Sequence, residues 1–401
     1  MMLRPTSRGW CIAINAVIWL CISQVNHNLM ALVLACASLS VLIVSFVASL
    51  FTLRGIEVIR RPFDQLHVGT LVNLPLECRN RKRHRRQTII IIEKLRFAQN
   101  RTLSSVVAAL EANESRVVNR AVMPSARGAY TLGKIVVRSA DPAGIFCHEK
   151  TVKLPESIIV YPSVEPLDSL DLGEGGSLTT SLTSNPTNAA GYSQDFYGVR
   201  EYHPSDGMRF IHWKSTARHH QLMVREFERR SQITVAILID GVGGKTTPDA
   251  PALHLEATLI AAASICNYLS RKTCNLALGI GGNQLMLLPP NPVEENLRQA
   301  MLIMATMESG DIPLTDVIEG IVTMLPARSI IYCFSLNEME SLHNELAMLA
   351  GRGMDIRWYH ASKAAFKAKL HHPLNTESLD MNRSLSPRRM SPALSMAQML
   401  Q

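Results

Sequence analysis

The sequence predicts a multi-domain chain: an N-terminal transmembrane helical hairpin, a β-sandwich domain, and then an α/β domain of Rossmann-like layout. Three observations predict it. Two apolar stretches open the chain. Runs of β-branched residues separated by turn signals follow, from about Ile56 to Tyr161. From Ile233 onward, continuous apolar strands alternate with helical patterns, which implies a mainly parallel sheet covered on both faces.

The first apolar stretch runs from Trp10 to Ile22, with Asn15 inside it, and is short for a full span. The second, Leu29 to Leu53, carries no charge and is long enough for a ~30 Å hydrocarbon core. Arg4 and Arg8 followed by one apolar run also fit a signal peptide, but no small-x-small cleavage site follows. The hairpin reading is preferred. Arg4 and Arg8 precede the pair, Arg54, Arg60 and Arg61 follow it, and the linker at 24–28 has no Lys or Arg. The positive-inside rule then puts both ends in the cytoplasm.

Composition excludes some classes. Lys plus Arg is 41 against 33 Asp plus Glu, a formal net charge of +8 over 401 residues, too modest to imply nucleic acid. The eight cysteines show no CxxC pair and no regular spacing, so neither a zinc site nor a disulfide framework is expected.

The expected layout is a membrane hairpin over 1–54, a β-sandwich over 55–165, a linker over 166–199, a signature segment over 200–230, an α/β domain over 231–360 and a disordered tail over 361–401. Inside the sandwich lies a basic run, Arg81, Lys82, Arg83, His84, Arg85 and Arg86. One reading is a patch against anionic lipid headgroups. The preferred reading is a solvated hairpin tip between strands ending near Cys78 and starting near Thr88. No stacking aromatics interleave these charges, which argues against nucleic acid.

In the α/β region the pattern predicts strands over 234–239, 275–280, 329–334 and 355–359, with a hairpin extension at 285–288. Helices are expected over 253–269, 293–307, 315–325 and 337–350. Asp240 ends the first strand, where such sheets bind ligands. The Gly244-Lys245-Thr246 sequence after it matches the end of a phosphate-binding loop, but the first glycine of that motif falls on Ile239. Asp240 is also where a metal-ion-dependent adhesion site would begin, holding Mg²⁺ with hard oxygens. Its hydroxyl ligands are missing, since Val242 and Gly244 stand at +2 and +4. A structural Asp capping the turn is favoured over a metal ligand, and no cofactor is expected.

Residues 200–218 are dense in Arg, Asp, Trp and Lys at fixed offsets. Asp206 is placed to pair with Arg209 or Arg200 in bidentate geometry, Trp213 to supply a buried anchor, and Lys214 and Arg218 to present cations. His203, His212, His219 and His220 cluster nearby, but surrounding cations disfavour a metal and the spacing fits no ligand motif. The block reads first as a network docking the sandwich onto the α/β domain, and alongside that as a partner-recognition surface.

Through Arg200, Tyr202, Asp206, Arg209, Ile211, Trp213, Lys214, Ala217 and Arg218, followed by Val224-Arg225-Glu226, the chain resembles the family catalogued as domain of unknown function fifty-eight. Ser205 stands where that family usually has Gly, and His212 where it usually has Asp. The resemblance implies that the α/β domain is von Willebrand factor A-like. It also implies a bacterial inner-membrane, multi-pass protein whose soluble domains face the cytoplasm. The implied role is a partner of a MoxR-type AAA+ ATPase, alongside other envelope or membrane proteins. The expectation is therefore a non-enzymatic, membrane-anchored interaction module with no nucleic-acid partner. Alternatives are a hydrolase or cell-wall enzyme using Asp206 and its histidines, and a structural membrane scaffold.

Overall fold

The computed structural model describes residues 2–170, 196–202, 208, 211–219, 221–227, 233–243, 252–337, 340–367, 387–392 and 395–400. A short strand, β1 (Met2–Pro5), leads into α1 (Ser7–Asn26) and α2 (Leu29–Thr52). Both helices are long and apolar enough to cross a membrane, by length and composition. The first is longer than the apolar stretch at 10–22, because Thr6 caps it by accepting the Gly9 N–H and polar residues continue the helix to Asn26. His27 turns the chain in the left-handed region (φ 45°), and Asn28 caps α2 by accepting from Met30 N. The helix pair buries small residues: Gly9, Ala16 and Ser23 of α1, at every seventh position, and Ala31 and Ala35 of α2.

The next strands are β2 (Ile56–Arg60), β3 (Leu66–His67), β4 (Val72–Asn73), β5 (Leu76–Asn80), β6 (Ile89–Lys94) and β7 (Thr102–Val107). They continue as β8 (Ser115–Val118), β9 (Ala121–Val122), β10 (Gly128–Ala140) and β11 (Phe146–Tyr161). One sheet runs β1-β11-β10-β6-β7, with β3 added parallel to β11. It faces a second sheet, β2-β5-β8, across a core of Ile56, Val58, Leu76, Cys78, Ile89, Ile91, Ile135 and Val137. The basic run at 81–86 is not a hairpin tip. The strands flanking it, β5 and β6, lie in different sheets, so the run is a crossover between them.

The sandwich grips the hairpin at both ends. Residues 2–5 pair antiparallel with 146–149 of β11. The Thr6 hydroxyl donates to the carbonyls of Gly144 (2.7 Å) and Ile145 (2.9 Å). At the other end, His148 Nδ1 donates to the Ser49 carbonyl (3.1 Å), and Phe46 meets Phe146 edge to face. Arg86 donates to the last carbonyls of α2 and its exit, Phe51 O (2.6 Å) and Arg54 O (2.8 Å), a cation satisfying a helix C-terminus.

Strand β12 (Phe196–Glu201), helix α3 (Trp213–His219) and strand β13 (Met223–Phe227) form a small unit. The α/β domain comprises β14 (Thr234–Ile239), α4 (Leu253–Leu269), β15 (Asn275–Ile280), β16 (Met286–Pro292), α5 (Val293–Thr306) and α6 (Leu314–Val322). It is completed by β17 (Ile330–Ser335), α7 (Glu340–Gly351), β18 (Asp355–His360), α8 (Lys363–Lys367), β19 (Arg388–Arg389) and α9 (Met396–Leu400). The sheet order is β16-β15-β14-β17-β18-β19, parallel except for the β15–β16 pair. Alternate residues of the strands serve opposite faces. Val235, Ile237 and Ile239 pack with α4, α5 and α9, whereas Ala236 and Leu238 pack with α6 and α7.

The tail predicted as disordered is partly built into this domain. Residues 388–389 add a strand to β18, and Met390, Met396, Met399 and Leu400 are buried in the core over α4. Residues 368–386 lie outside the described residues. The start of the predicted linker is docked too: Leu170 is buried, and just before the linker Glu165 N donates to Ser264 Oγ (2.9 Å).

Candidate functional site

The signature segment folds on itself. In the β12–β13 ladder Arg200 faces Val224 and Glu201 faces Met223, extended by Tyr202 N donating to Leu222 O (2.8 Å). Ile211 and Val224 bridge and are both buried. His212 then starts α3. Its Nδ1 accepts the Ser215 N–H (3.3 Å) and lies 2.7 Å from the Ser215 hydroxyl, so the imidazole serves as an N-cap. Thr216 Oγ1 donates to His212 O and accepts Met223 N (3.1 Å), which ties helix to strand.

The buried anchor predicted for Trp213 is not there. The indole is 68% exposed, and no residue of α3 is buried. Lys214 and Arg218, four residues apart on one edge of the helix, are also exposed. Met208 and Leu222 add exposed apolar surface nearby in sequence. Asp206, Arg209, His203 and His220 lie outside the described residues, as does the Arg200 side chain, so the predicted Asp206 pairings fall there too.

Two contacts between the sandwich and the α/β domain come from outside this segment. Arg127, from the loop before β10, reaches Glu256 of α4 (3.4 Å) and donates to Met307 O (3.2 Å). Met396 N donates to Glu165 Oε2 (3.3 Å). Sequence reasoning missed Arg127 because one Arg in a turn carries no pattern.

Asp240 was expected at a binding face. It is 4% exposed instead. Its Oδ1 accepts Val242 N (3.0 Å), and its Oδ2 accepts Leu336 N (3.1 Å) from the loop after β17. Asn337 Nδ2 returns a bond to Val242 O (3.2 Å). The carboxylate thus caps its own turn through Val242 and also ties the exits of β14 and β17 together. Burial pushes its pKa up, against the pull of these amides. Gly241 beside it packs closely: a Cβ there would run into the Gly281 carbonyl oxygen. Among the described residues no group of three or more His, Cys, Asp or Glu could hold a metal ion. Residues 244–250, with the phosphate-loop-like end, lie outside the described residues.

Asp240→Asn keeps one acceptor but turns an amide toward Leu336 N–H. We expect a loss of about 1–2 kcal/mol in the α/β domain. The readout is thiol labelling at Cys333, which is fully buried and held well above the usual thiol range by burial. Unchanged labelling would mean that the carboxylate does not hold the two loops.

The basic crossover sits at the exit of α2. Arg81 pairs with Glu57 (2.6 Å) and Arg85 with Glu111 (3.2 Å), and Arg86 holds the helix end. Gly55 turns the chain at φ 81°, with the Lys82 stem packed where a side chain would be. Lys82 and Arg83 are exposed beside that turn.

Among known proteins, YeaD of Bacillus subtilis (strain 168), an uncharacterized protein, is 23% identical over 175 residues. The match covers 44% of this chain and 42% of YeaD, so the chain spans less than half of that relative's length. The PapD-like domain 7 of human CEP192 aligns at TM-score 0.18 and 15% identity, covering 27% of this chain and 87% of that one. A β-glucosidase from Listeria innocua aligns at TM-score 0.18 and 12% identity, covering 26% and 16%. Structural likenesses this low carry no argument. The family model described as protein of unknown function DUF58 matches residues 198–348, from β12 into α7.

Proposed function

We propose that the chain is a membrane-anchored protein-interaction module of the bacterial inner membrane, with its soluble domains in the cytoplasm, and that it works as partner or adaptor of a MoxR-type AAA+ ATPase. The α/β domain, von Willebrand factor A-like on this reading, carries the signature unit that meets the ATPase. The observation behind it is the exposed Trp213, with Lys214 and Arg218 on the neighbouring edge of α3. Trp and Arg are among the residues most enriched in interface hot spots, so an exposed Trp next to an exposed Arg fits a partner-facing edge. The resemblance supplies the class of partner. The two N-terminal helices supply the anchor, and the cations flanking them supply the orientation.

The test is a tagged capture from detergent-solubilised native membranes, with mass spectrometry of what co-purifies. Wild type should bring down an AAA+ ATPase. Trp213→Ala/Arg218→Ala should lose it while remaining folded and membrane-inserted, because neither side chain is buried in the chain itself. Full recovery by the double variant would remove this surface from the reading.

A further inference from the structure

We propose that the groove between β2 and β11 binds the headgroup of an anionic phospholipid from the leaflet around α1 and α2; this rests on the membrane reading above. The groove is open to solvent, with a volume of about 550 Å³, and is lined by Ile56, Glu57, Val58 and Ile59 on one side and residues 150–153 on the other. Its facing strand edges are open among the described residues. Strand β2 pairs only with β5, the β1 ladder on β11 stops at Glu149, and the β3 ladder starts at Val160. Ile56, Val58 and Val152 belong to the sandwich core and give the groove an apolar floor.

Charge selects the occupant. Lys150 and Lys153 form no ion pair among the described residues. The neighbouring acids are already engaged: Glu57 with Arg81 (2.6 Å), and Glu149 with Arg138. Both lysines line the groove, from opposite phases of β11: Lys150 lies opposite the buried Val137, and Lys153 opposite Lys134. Cations on both sides of that strand edge, beside an apolar floor, suit a lipid phosphate above its glycerol and upper chain.

Position selects the source. Helix α2 has 24 residues, about 36 Å against a ~30 Å hydrocarbon core, so its last turn stands in the headgroup layer. One side of that turn packs on the sandwich, with Ser49, Thr52 and Leu53 buried, while Leu50 and Phe51 on the other side are exposed. The sandwich therefore rests on the bilayer without an intervening linker. Ile56 follows Thr52 by four residues, and the groove extends about 10 Å further along the strand. Its near end lies at headgroup level, continuous with the membrane-facing surface.

The test uses the full chain reconstituted into mixed phosphatidylglycerol and phosphatidylcholine bilayers, re-extracted gently, with retained lipids counted by native mass spectrometry. Wild type should retain phosphatidylglycerol in preference to phosphatidylcholine. Lys150→Gln/Lys153→Gln should weaken that retention roughly thirtyfold, about fivefold for each lysine removed from the surface. Arg83→Gln, in the exposed crossover, should retain lipid like wild type. Equal retention of both lipids by wild type, undiminished retention by the double lysine variant, or loss with Arg83→Gln would each overturn the groove as the site. Flotation separates the two readings. A chain that does not float with bilayers defeats the anchor, whereas one that floats without phosphatidylglycerol preference defeats the groove alone.

Discussion

Glu93→Ala is expected to cost about 3–5 kcal/mol, a large fraction of what holds a domain of this size together. Glu93 lies at the centre of a buried ion cluster joining the two sheets. Its Oε1 meets Arg60 at 2.8 Å and its Oε2 meets Arg120 at 2.8 Å. The side chains of Glu93 and Arg120 are 1% exposed and that of Arg60 7%. Burial presses the Arg120 guanidinium below its ordinary pKa, and Glu93 pulls it back up. Arginine stays charged regardless, so losing Glu93 strands two cations, with only the partly exposed Glu156 left beside Arg60. Cys78 reads the outcome. It is fully buried and its thiol is pushed up to about 11 by burial, so it reacts only when the sandwich opens. Labelling should accelerate by at least about a hundredfold in Glu93→Ala. Glu93→Leu/Arg120→Leu should recover much of the loss, because an apolar pair replaces a charge pair at little net cost. Wild-type labelling in the single variant would show that packing alone closes the sandwich.

The ion cluster also shows what the sequence could and could not convey. Ile89, Ile91 and Glu93 share the inward phase of β6, so a charge on a buried phase was visible. Its partners come from β2 and from the stretch between β8 and β9, and no local pattern joins them. The strands of the α/β sheet were legible because both faces are covered, which makes each an unbroken apolar run. Strand β1 was not legible: residues 2–5 have no strand signature and pair only because the edge of β11 is free there. Arg388 and Arg389 likewise gain strand form from β18. The tail did carry a usable signal, since Met396, Met399 and Leu400 repeat at helical spacing and are the residues buried on α4.

The candidate site was legible in type more than in position. His212, read as a lost carboxylate, caps α3 with a ring nitrogen, a task in which imidazole can replace Asp. Trp213 departs from its expected place, since the aromatic faces solvent, whereas Asp240 is buried and structural as the favoured reading had it, with a second loop tied to it besides. Spacing along a chain gives helix edges and strand ends. Exposure depends on which loops close over them, and that is set by the Leu336–Asn337 turn nearly a hundred residues away.

Arg127→Met should destabilise the α/β domain by about 3 kcal/mol at neutral pH, and by less as pH falls through the folded value of the Glu256 carboxyl. The Arg127 side chain is 4% exposed and that of Glu256 21%, which places the cost at the lower end for a broken buried pair. Burial raises the Glu256 carboxyl above its ordinary value, and Arg127 is what lowers it. A carboxyl raised in the folded state contributes stability that is complete below the unfolded value, about 4.3, and is lost as pH climbs through the folded one. Without Arg127 the folded value rises further, so the variant loses more over a wider span of pH. As pH falls through the folded value the carboxyl takes up its proton in both proteins, which leaves the wild type a buried guanidinium without its counter-charge, so the gap narrows. Calorimetry of the full chain from pH 4 to 7.5 measures it. A gap independent of pH would assign the effect of Arg127 to its bond with the Met307 carbonyl. A widening gap would establish that the sandwich and the α/β domain are joined by charge, at a contact close in sequence to neither the signature segment nor the N-terminal helix pair.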